Sequence, residues 1–251
     1  MNDLKNKVAI ITGGASGIGR SVAELFALQN ISALTIADLQ SDLMHELSIN
    51  LEKRFDSKVL ISKTDVSDQV AVNQMVQQTI DCFGQVDILV NNAGICPMVP
   101  WEETTLENWN QLLSVNLTSA FLCSQAVLPY MREKKYGRLI HISSVGAFIG
   151  SVTGHVAYGV SKAGIIALSK YLAKQFATEG ILSNVISPGS IDTPITESFG
   201  EENKKRYREA SPLKRQGTSQ ELAEAVLFLS GSGSSYITGS TIHVNGGSLL
   251  I

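Results

Sequence analysis

Cysteine is scarce in this chain, and its placement excludes two classes of protein. Cys82, Cys96 and Cys123 are odd in number and widely spaced, which gives neither a disulfide framework nor a zinc ligand set. Reduced, mostly buried thiols are expected, and no metal site. Excess charge is missing too: a net charge of -3 supplies no basic footprint for phosphate backbones or anionic lipid, so neither nucleic acid nor membrane is expected as a partner. Long apolar runs are absent, and Met1 to Lys7 is polar, with no charged-then-apolar leader. A cytoplasmic location is the expectation. No Pro/Gly/Ser-rich linker and no repeat of fixed period divides the 251 residues. Doubly wound sheets reach this length around one core, so a single domain over 1–251 is expected.

What the chain does have is alternation. Short apolar, β-branched runs at Val8–Thr12, Ala33–Ala37, Lys58–Ser62, Asp87–Asn91, Arg138–Ile142, Ser183–Ile186 and Thr241–Val244 read as strands. Between them lie stretches of helical period at Gly17–Gln29, Asp42–Arg54, Ser67–Phe83, Leu106–Met131, Tyr158–Thr178 and Ser219–Leu229. Strict alternation of this kind builds an α/β fold, a parallel sheet covered by helices on both faces. The rhythm breaks once, at Pro194 to Pro212, where Glu201 to Glu209 is densely charged. That stretch reads either as a solvated helix or as a lid at the carboxyl ends of the strands, where such sheets bind ligands.

The first strand runs into Thr12-Gly13-Gly14-Ala15-Ser16-Gly17-Ile18-Gly19 and then a helical pattern. Glycines there allow a tight turn and a close approach to a pyrophosphate, which the free amides of the helix start stabilise. The general G-x-G-x-x-G fingerprint is not matched, since Val22 stands at its third place. Nineteen positions past Gly19, Asp38 ends the second strand, where a carboxylate accepts from both hydroxyls of an adenosine ribose and repels a 2'-phosphate. With Ser16 in the loop and Ala37 before the acid, NAD is favoured over NADP.

Tyr158 and Lys162 stand four apart at the start of a helical pattern, so the two side chains share a face and an ammonium can lie near the phenol. A neighbouring cation, with an oxidised nicotinamide, draws a phenol from its ordinary ~10 toward working pH. The same spacing recurs at Tyr130 and Lys134, behind Pro129, where it reads as a solvated helix end. Context separates the pairs: Ser143 and Ser144 end the fifth strand, and a hydroxyl there can hold a substrate oxygen against Tyr158.

Thr12 to Gly19, Asn91-Asn92-Ala93-Gly94, Asn116, Ser144, Tyr158-x-x-x-Lys162 and Pro188-Gly189 together resemble the short-chain dehydrogenase/reductase family over nearly the whole chain. The resemblance implies one Rossmann-type domain with seven parallel strands, a homotetramer or dimer, and hydride exchange between a nicotinamide dinucleotide and a small carbonyl/alcohol substrate. It makes Tyr158 the general acid or base and gives Ser144 the carbonyl. Lys162 would lower the tyrosine's pKa and hold the nicotinamide ribose, and Asn116 would kink its helix and position a water. Cofactor contacts carried over are Gly13, Ser16, Gly17, Ile18, Gly19, Asp38, Asp65, Val66, Asn92, Ala93, Gly94, Pro188, Gly189, Ile191 and Thr193. Asp65 and Val66 would face the adenine, Ile191 and Thr193 the carboxamide, and Asn91 and Asn92 would in part tie strands together.

Departures from the family pattern are few. Fourteen positions separate Ser144 from Tyr158 where thirteen are common, so one extra residue is placed in the Gly146 to Ala157 loop, with Ser143 the fallback for Ser144. Leu182-Ser183 replaces a frequent Arg-Val, and Asn245 a common Asp. Substrate walls are expected from Ile95 to Trp101, Gly146 to Ala157 and the lid, with Val152 and His155 as candidate contacts, although His155 also reads as a surface-loop residue without a role. His141, alternating with Ile140 and Ile142, reads as a core or interface histidine. Within the family the competing activity is 3-oxoacyl carrier-protein reduction with NADPH. Ser16 in place of a basic loop residue and Glu179 before Gly180 count against it, while Lys134 and Lys135 keep a basic site before the fifth strand. A dinucleotide sensor without turnover is the remaining reading, and the filled Asn116, Ser144, Tyr158 and Lys162 positions oppose it.

Overall fold

The computed structural model describes residues 4–150, 154–197 and 199–251. Seven strands pair in parallel, in the order β3-β2-β1-β4-β5-β6-β9. They are β1 (Val8–Thr12), β2 (Ala33–Asp38), β3 (Lys58–Lys63), β4 (Ile88–Asn91), β5 (Gly137–Ile142), β6 (Ile181–Pro188) and β9 (Thr241–Val244). A separate two-stranded ladder joins β7 (Ile191–Asp192) to β8 (Gly217–Thr218). The central strands are mostly apolar because both their faces are covered: all five residues of β1 and all six of β5 are buried.

One face carries α1 (Gly17–Leu28), α2 (Ser41–Arg54) and α10 (Ser219–Ser230), whose Val22, Phe26, Leu47 and Val226 pack on Ile11, Ile36, Ile140 and Ile186. The opposite face carries α3 (Gln69–Phe83), α5 (Ser119–Lys134) and α7 (Val156–Phe176), whose Val72, Met75, Cys123, Val127 and Leu172 meet Ile10, Leu89 and Leu139. The short α6 (Gly146–Ile149) and the pair α8 (Pro194–Glu197) and α9 (Gly200–Ala210) lie in the connections after β5 and β7. The chain reverses its direction across the sheet between β1 and β4, and the crevice at that switch point is where such folds take ligands.

The expected Leu106–Met131 helix is broken. It forms α4 (Leu106–Leu113), a π turn at Ser114–Thr118, and then α5. The extra residue in the π turn goes with Asn116 turning inward, fully buried, to grip the backbone of Ile95 from both sides. This Leu106–Lys134 stretch is also long and apolar enough to cross a bilayer. Its apolar face is spent inside the protein, with Leu122, Cys123, Val127 and Met131 buried against the sheet.

Inside the sheet a polar chain replaces part of the apolar core. Asn91 Nδ2 lies 3.3 Å from Ser124 Oγ and 3.1 Å from His141 Nδ1, His141 Nε2 is 3.2 Å from Ser183 Oγ, and Ser183 Oγ is 2.9 Å from Ser169 Oγ. Burial pushes His141 down to about 4, so the imidazole is neutral, with one nitrogen donating and the other accepting. Ser183, a departure from the family pattern, is thus the partner that His141 requires.

Candidate active site

At the switch point the loops after β1, β2, β3 and β4 enclose a cleft of about 680 Å³. Its wall includes Gly13, Ser16, Gly17, Ile18, Asp38, Asp65, Val66, Asn92, Ala93, Gly94 and Thr193. Two glycines make the approach from β1. Gly13 sits at φ 61, with any added Cβ only 2.9 Å from Ala93 Cα, and a Cβ on Gly19 would collide with the Gly13 carbonyl. Asn92 fixes this turn from the far side, donating through Nδ2 to the carbonyls of Thr12 and Gly13 at 2.9 Å each.

The Asp38 carboxylate accepts from Ala15 N and from Gln40 N, both at 3.1 Å, which ties β2 to the glycine loop. A carboxylate has about four acceptor sites, so two stay available for hydroxyls. The wall carries Asp38 and Asp65 and, among the described residues, no lysine or arginine. The cleft is therefore a backbone-lined slot with a helix N-terminus at one side and carboxylates at the other. Those donors fit a dinucleotide's pyrophosphate and its ribose hydroxyls.

At the carboxyl end of β5 the side chains converge. Ser144 Oγ accepts from Gly146 N at 3.0 Å, and a Cβ added to Gly146 would meet Ser144 Oγ at 3.4 Å and the Tyr158 ring at 3.7 Å, so the two side chains stand side by side. Ser143, the fallback, turns the other way, buried and donating to Lys162 O at 2.8 Å. Lys162 is buried, its Nζ donates to Ile142 O at 2.9 Å, and it stands 5.7 Å from the Tyr158 ring centroid. An added Cβ on Gly94 would meet Asn116 Oδ1 at 3.3 Å and Lys162 Nζ at 3.5 Å, so all four family positions close on one point beside the cleft.

The electrostatics differ from the expectation in one respect. Desolvation, and after it the neighbouring Cys96, push the Tyr158 phenol above its ordinary range, with the Ser144 hydrogen bond opposing them. Desolvation likewise lowers Lys162 to about 8, against the opposing effect of Cys96. In the chain by itself burial outweighs the opposing effect of Ser144, leaving the phenol protonated at neutral pH. Cys96 is held up at about 11 by burial despite Lys162, a thiol and not a thiolate.

Other expected contacts fall elsewhere. Pro188 and Gly189 close the end of β6, where Pro188 O accepts from Val145 N and Gly189 N donates to Val244 O, and neither lines the cleft. Ile191 lines a second cavity of about 260 Å³ instead, with Tyr207, Ser211 and His243. His155 is not a surface residue: its side chain is fully buried and both ring nitrogens are bonded within the protein. Val152 lies outside the described residues. The Pro194 to Pro212 stretch folds as α8 and α9, with its charges paired on the outside, as in Lys204 to Glu201, and Phe199 against Tyr207.

Sequence reasoning passed over Gln111, Ser114 and Val115, which also line the cleft. Their i, i+3, i+4 spacing placed them on one helix face just ahead of Asn116, a signal that was readable.

A family model described as Enoyl-(Acyl carrier protein) reductase matches residues 13–248. The chain belongs to the short-chain dehydrogenase/reductase family. Members of this family are NAD(P)-dependent oxidoreductases acting on CH–OH groups. The chain is 37% identical to the 3-oxoacyl-[acyl-carrier-protein] reductase of Aquifex aeolicus over 244 residues, 97% of this chain and 98% of that one. It is 35% identical to the (2S)-[(R)-hydroxy(phenyl)methyl]succinyl-CoA dehydrogenase subunit BbsD of Thauera aromatica, covering 97% of each. Among solved structures it resembles the crystal structure of gox2181, with a TM-score of 0.91, 32% identity, and coverage of 98% of this chain and 96% of that one.

Proposed function

We propose that this short-chain dehydrogenase/reductase interconverts a 3-oxoacyl thioester and its 3-hydroxy form, with NAD(H) as cofactor and Tyr158 as the proton-transferring group. The observation that carries the reading is the convergence of Ser144, Tyr158 and buried Lys162 beside the cleft. When bound, the nicotinamide supplies or accepts the hydride. Everything else falls to the chain. Ser144 orients the carbonyl oxygen, and the protonated Tyr158 phenol donates to it in reduction and receives the proton back in oxidation. The Lys162 ammonium stabilises the phenolate left behind.

The substrate class is supported by the names of the relatives, which carry an acyl carrier protein in one and coenzyme A in the other. NAD is supported by Asp38 and by the lack of a cation on the cleft wall among the described residues. In this reading the enzyme is cytoplasmic and a homotetramer or homodimer, and α8 and α9 form a lid over the substrate. The test is NADH and NADPH oxidation with acetoacetyl-CoA, acetoacetyl carrier protein and simple ketones. A higher kcat/KM for the thioesters with NADH is expected. If simple ketones are the better substrates the thioester assignment fails, and if NADPH is the better cofactor the ribose assignment fails.

A further inference from the structure

His155 is an unusual helix cap. It stands at the N-cap of α7, the helix that carries Tyr158 and Lys162, and its Nδ1 accepts from Ala157 N at 3.0 Å. A backbone N–H can only donate, so Nδ1 carries no proton and Nε2 does. Nε2–H then donates to Asn108 Oδ1 at 2.8 Å. That amide's orientation is fixed independently: Oδ1 also accepts from Thr105 N at 2.9 Å, and Nδ2 donates to Glu103 O. Asn108 and Thr105 form the capping box of α4, the helix that leads into the π turn of Asn116. One neutral imidazole thus joins the starts of two helices.

The backbone of His155 makes a third tie, since its N–H donates to Pro97 O at 3.0 Å. Asn116 clasps Ile95 of the same segment, through Ile95 N at 2.8 Å and Ile95 O at 2.9 Å, and its Nδ2 is 3.4 Å from Ser161 Oγ on α7. Between the two clasps lies Cys96. Loop, α4 and α7 are therefore pinned to one another at two points, and the outer pin is His155.

We propose that His155 is a positioning residue, which through its bond to Asn108 sets the register of the Tyr158 and Lys162 helix against Asn116 and the Ile95 to Pro97 wall. The inference rests on the assignment of Tyr158 as the proton-transferring group. It assigns His155 no contact with substrate or dinucleotide, because its side chain is fully buried and both ring nitrogens are bonded within the protein. A loss of register of about 1 Å costs up to ~100-fold in turnover, and a partial loss is expected here.

The test compares His155→Asn, Asn108→Ala, Asn108→Asp and the double variant His155→Asn with Asn108→Ala, in turnover of acetoacetyl-CoA with NADH. An asparagine at 155 keeps a capping oxygen for α7 and loses the bridge to α4. For His155→Asn, kcat is expected to fall about tenfold with the KM for NADH within about twofold of the parent. Asn108→Ala is expected to match it, the double variant to be no worse than either, and Asn108→Asp, which keeps an acceptor for Nε2–H, to restore most of the turnover. Unchanged kcat in His155→Asn, additive losses in the double variant, or no rescue by Asn108→Asp would overturn the proposal. Should His155→Asn fail to fold, the two Asn108 variants decide by the same readout. Tyr158→Phe in the same assay separates the failures: turnover surviving there sinks the site assignment itself, whereas its loss alongside normal His155→Asn kinetics sinks only this inference.

Discussion

Two Tyr-x-x-x-Lys pairs share one spacing and lie at opposite ends of the sheet, and nothing but environment distinguishes them. Tyr158 and Lys162 open α7 at the carboxyl end of β5, where the lysine is buried and the phenol ring stands beside Ser144. Tyr130 and Lys134 close α5 at the other end. There the Tyr130 hydroxyl makes an exposed bond of 3.2 Å to Gln77 Oε1, and Lys134 Nζ reaches Asp87 Oδ1 at 3.0 Å and Gln85 Oε1 at 2.6 Å. At the first site desolvation forces the protonation states of two groups together. At the second, the tyrosine hydroxyl bonds Gln77 in the open and a buried carboxylate occupies the lysine. Helical spacing brings the two side chains onto one face in both cases; chemistry requires the face to be buried beside a cleft.

The largest expected effect tests that contrast directly. Tyr158→Phe should lower kcat by about a thousandfold, as loss of a positioned general acid does, while Tyr130→Phe stays within about twofold of the parent in the same NADH-oxidation assay. Equal kinetics for the two variants would erase the distinction drawn between the ends.

Next in size is a pH effect confined to one pair. Lys162 is lowered to about 8 by burial, so it is an ammonium below that pH and loses its charge as pH rises through it. Reductive kcat/KM should therefore decline above pH about 8, by roughly tenfold per unit and so about a hundredfold by pH 10. Lys134→Ala should leave that profile in place. A flat profile from pH 7 to 10 would show that the lysine's charge does not support the reaction.

Most of the cleft end was legible from residues because its chemistry is built on backbone. Strands β1 and β9 fall where the apolar runs place them, and the glycine turn, Asp38 and Asp65 all reach the cleft wall. What escaped depends on side chains that turn against their local pattern. Periodicity alone reads Leu106–Met131 as one helix, since the π turn is caused by a tertiary bond, Asn116 to Ile95. His155 follows a Gly-rich loop and reads as surface. It is buried because a distant helix start offers Asn108 as its partner, and no spacing in the sequence encodes that meeting. The same reasoning applies to two charges weighed for and against carrier-protein reduction: Glu179, which counts against it, is held by Arg132 at 2.7 Å, and Lys134 of the Lys134 and Lys135 basic site is held by Asp87.

The two ends also differ in the sign of their charge, and cofactor choice measures it. The cleft wall has two carboxylates, Asp38 and Asp65, whereas the opposite end gathers Lys7, Lys134 and Arg138 around Asp87 and the Tyr136 ring. Replacing Asp38 by Ala removes the charge that repels a 2'-phosphate. The NADP-to-NAD ratio of kcat/KM should rise by about ten- to thirtyfold, the equivalent of roughly 1.4–2 kcal/mol. An unchanged ratio would remove the carboxylate from cofactor selection and leave its bonds to Ala15 and Gln40 as its role.

The smallest expected effect belongs to Lys134, and it falls on stability. Asp87 is fully buried and accepts from Val8 N at 2.9 Å, Gln85 Nε2 at 2.8 Å and Lys134 Nζ at 3.0 Å, with Lys7 Nζ at 3.8 Å. Removing one cation from a buried carboxylate is costly when nothing else compensates it. Here the other three partners remain and the lysine side chain is itself 36% exposed, so Lys134→Ala should cost about 1–2 kcal/mol. For a chain of this size that lowers the melting temperature by roughly 2–8 °C, with kcat unaltered. A fall in kcat at constant stability would mean that the two ends of the sheet are coupled, and the lysines could then no longer be separated into one that serves the reaction and one that serves the fold.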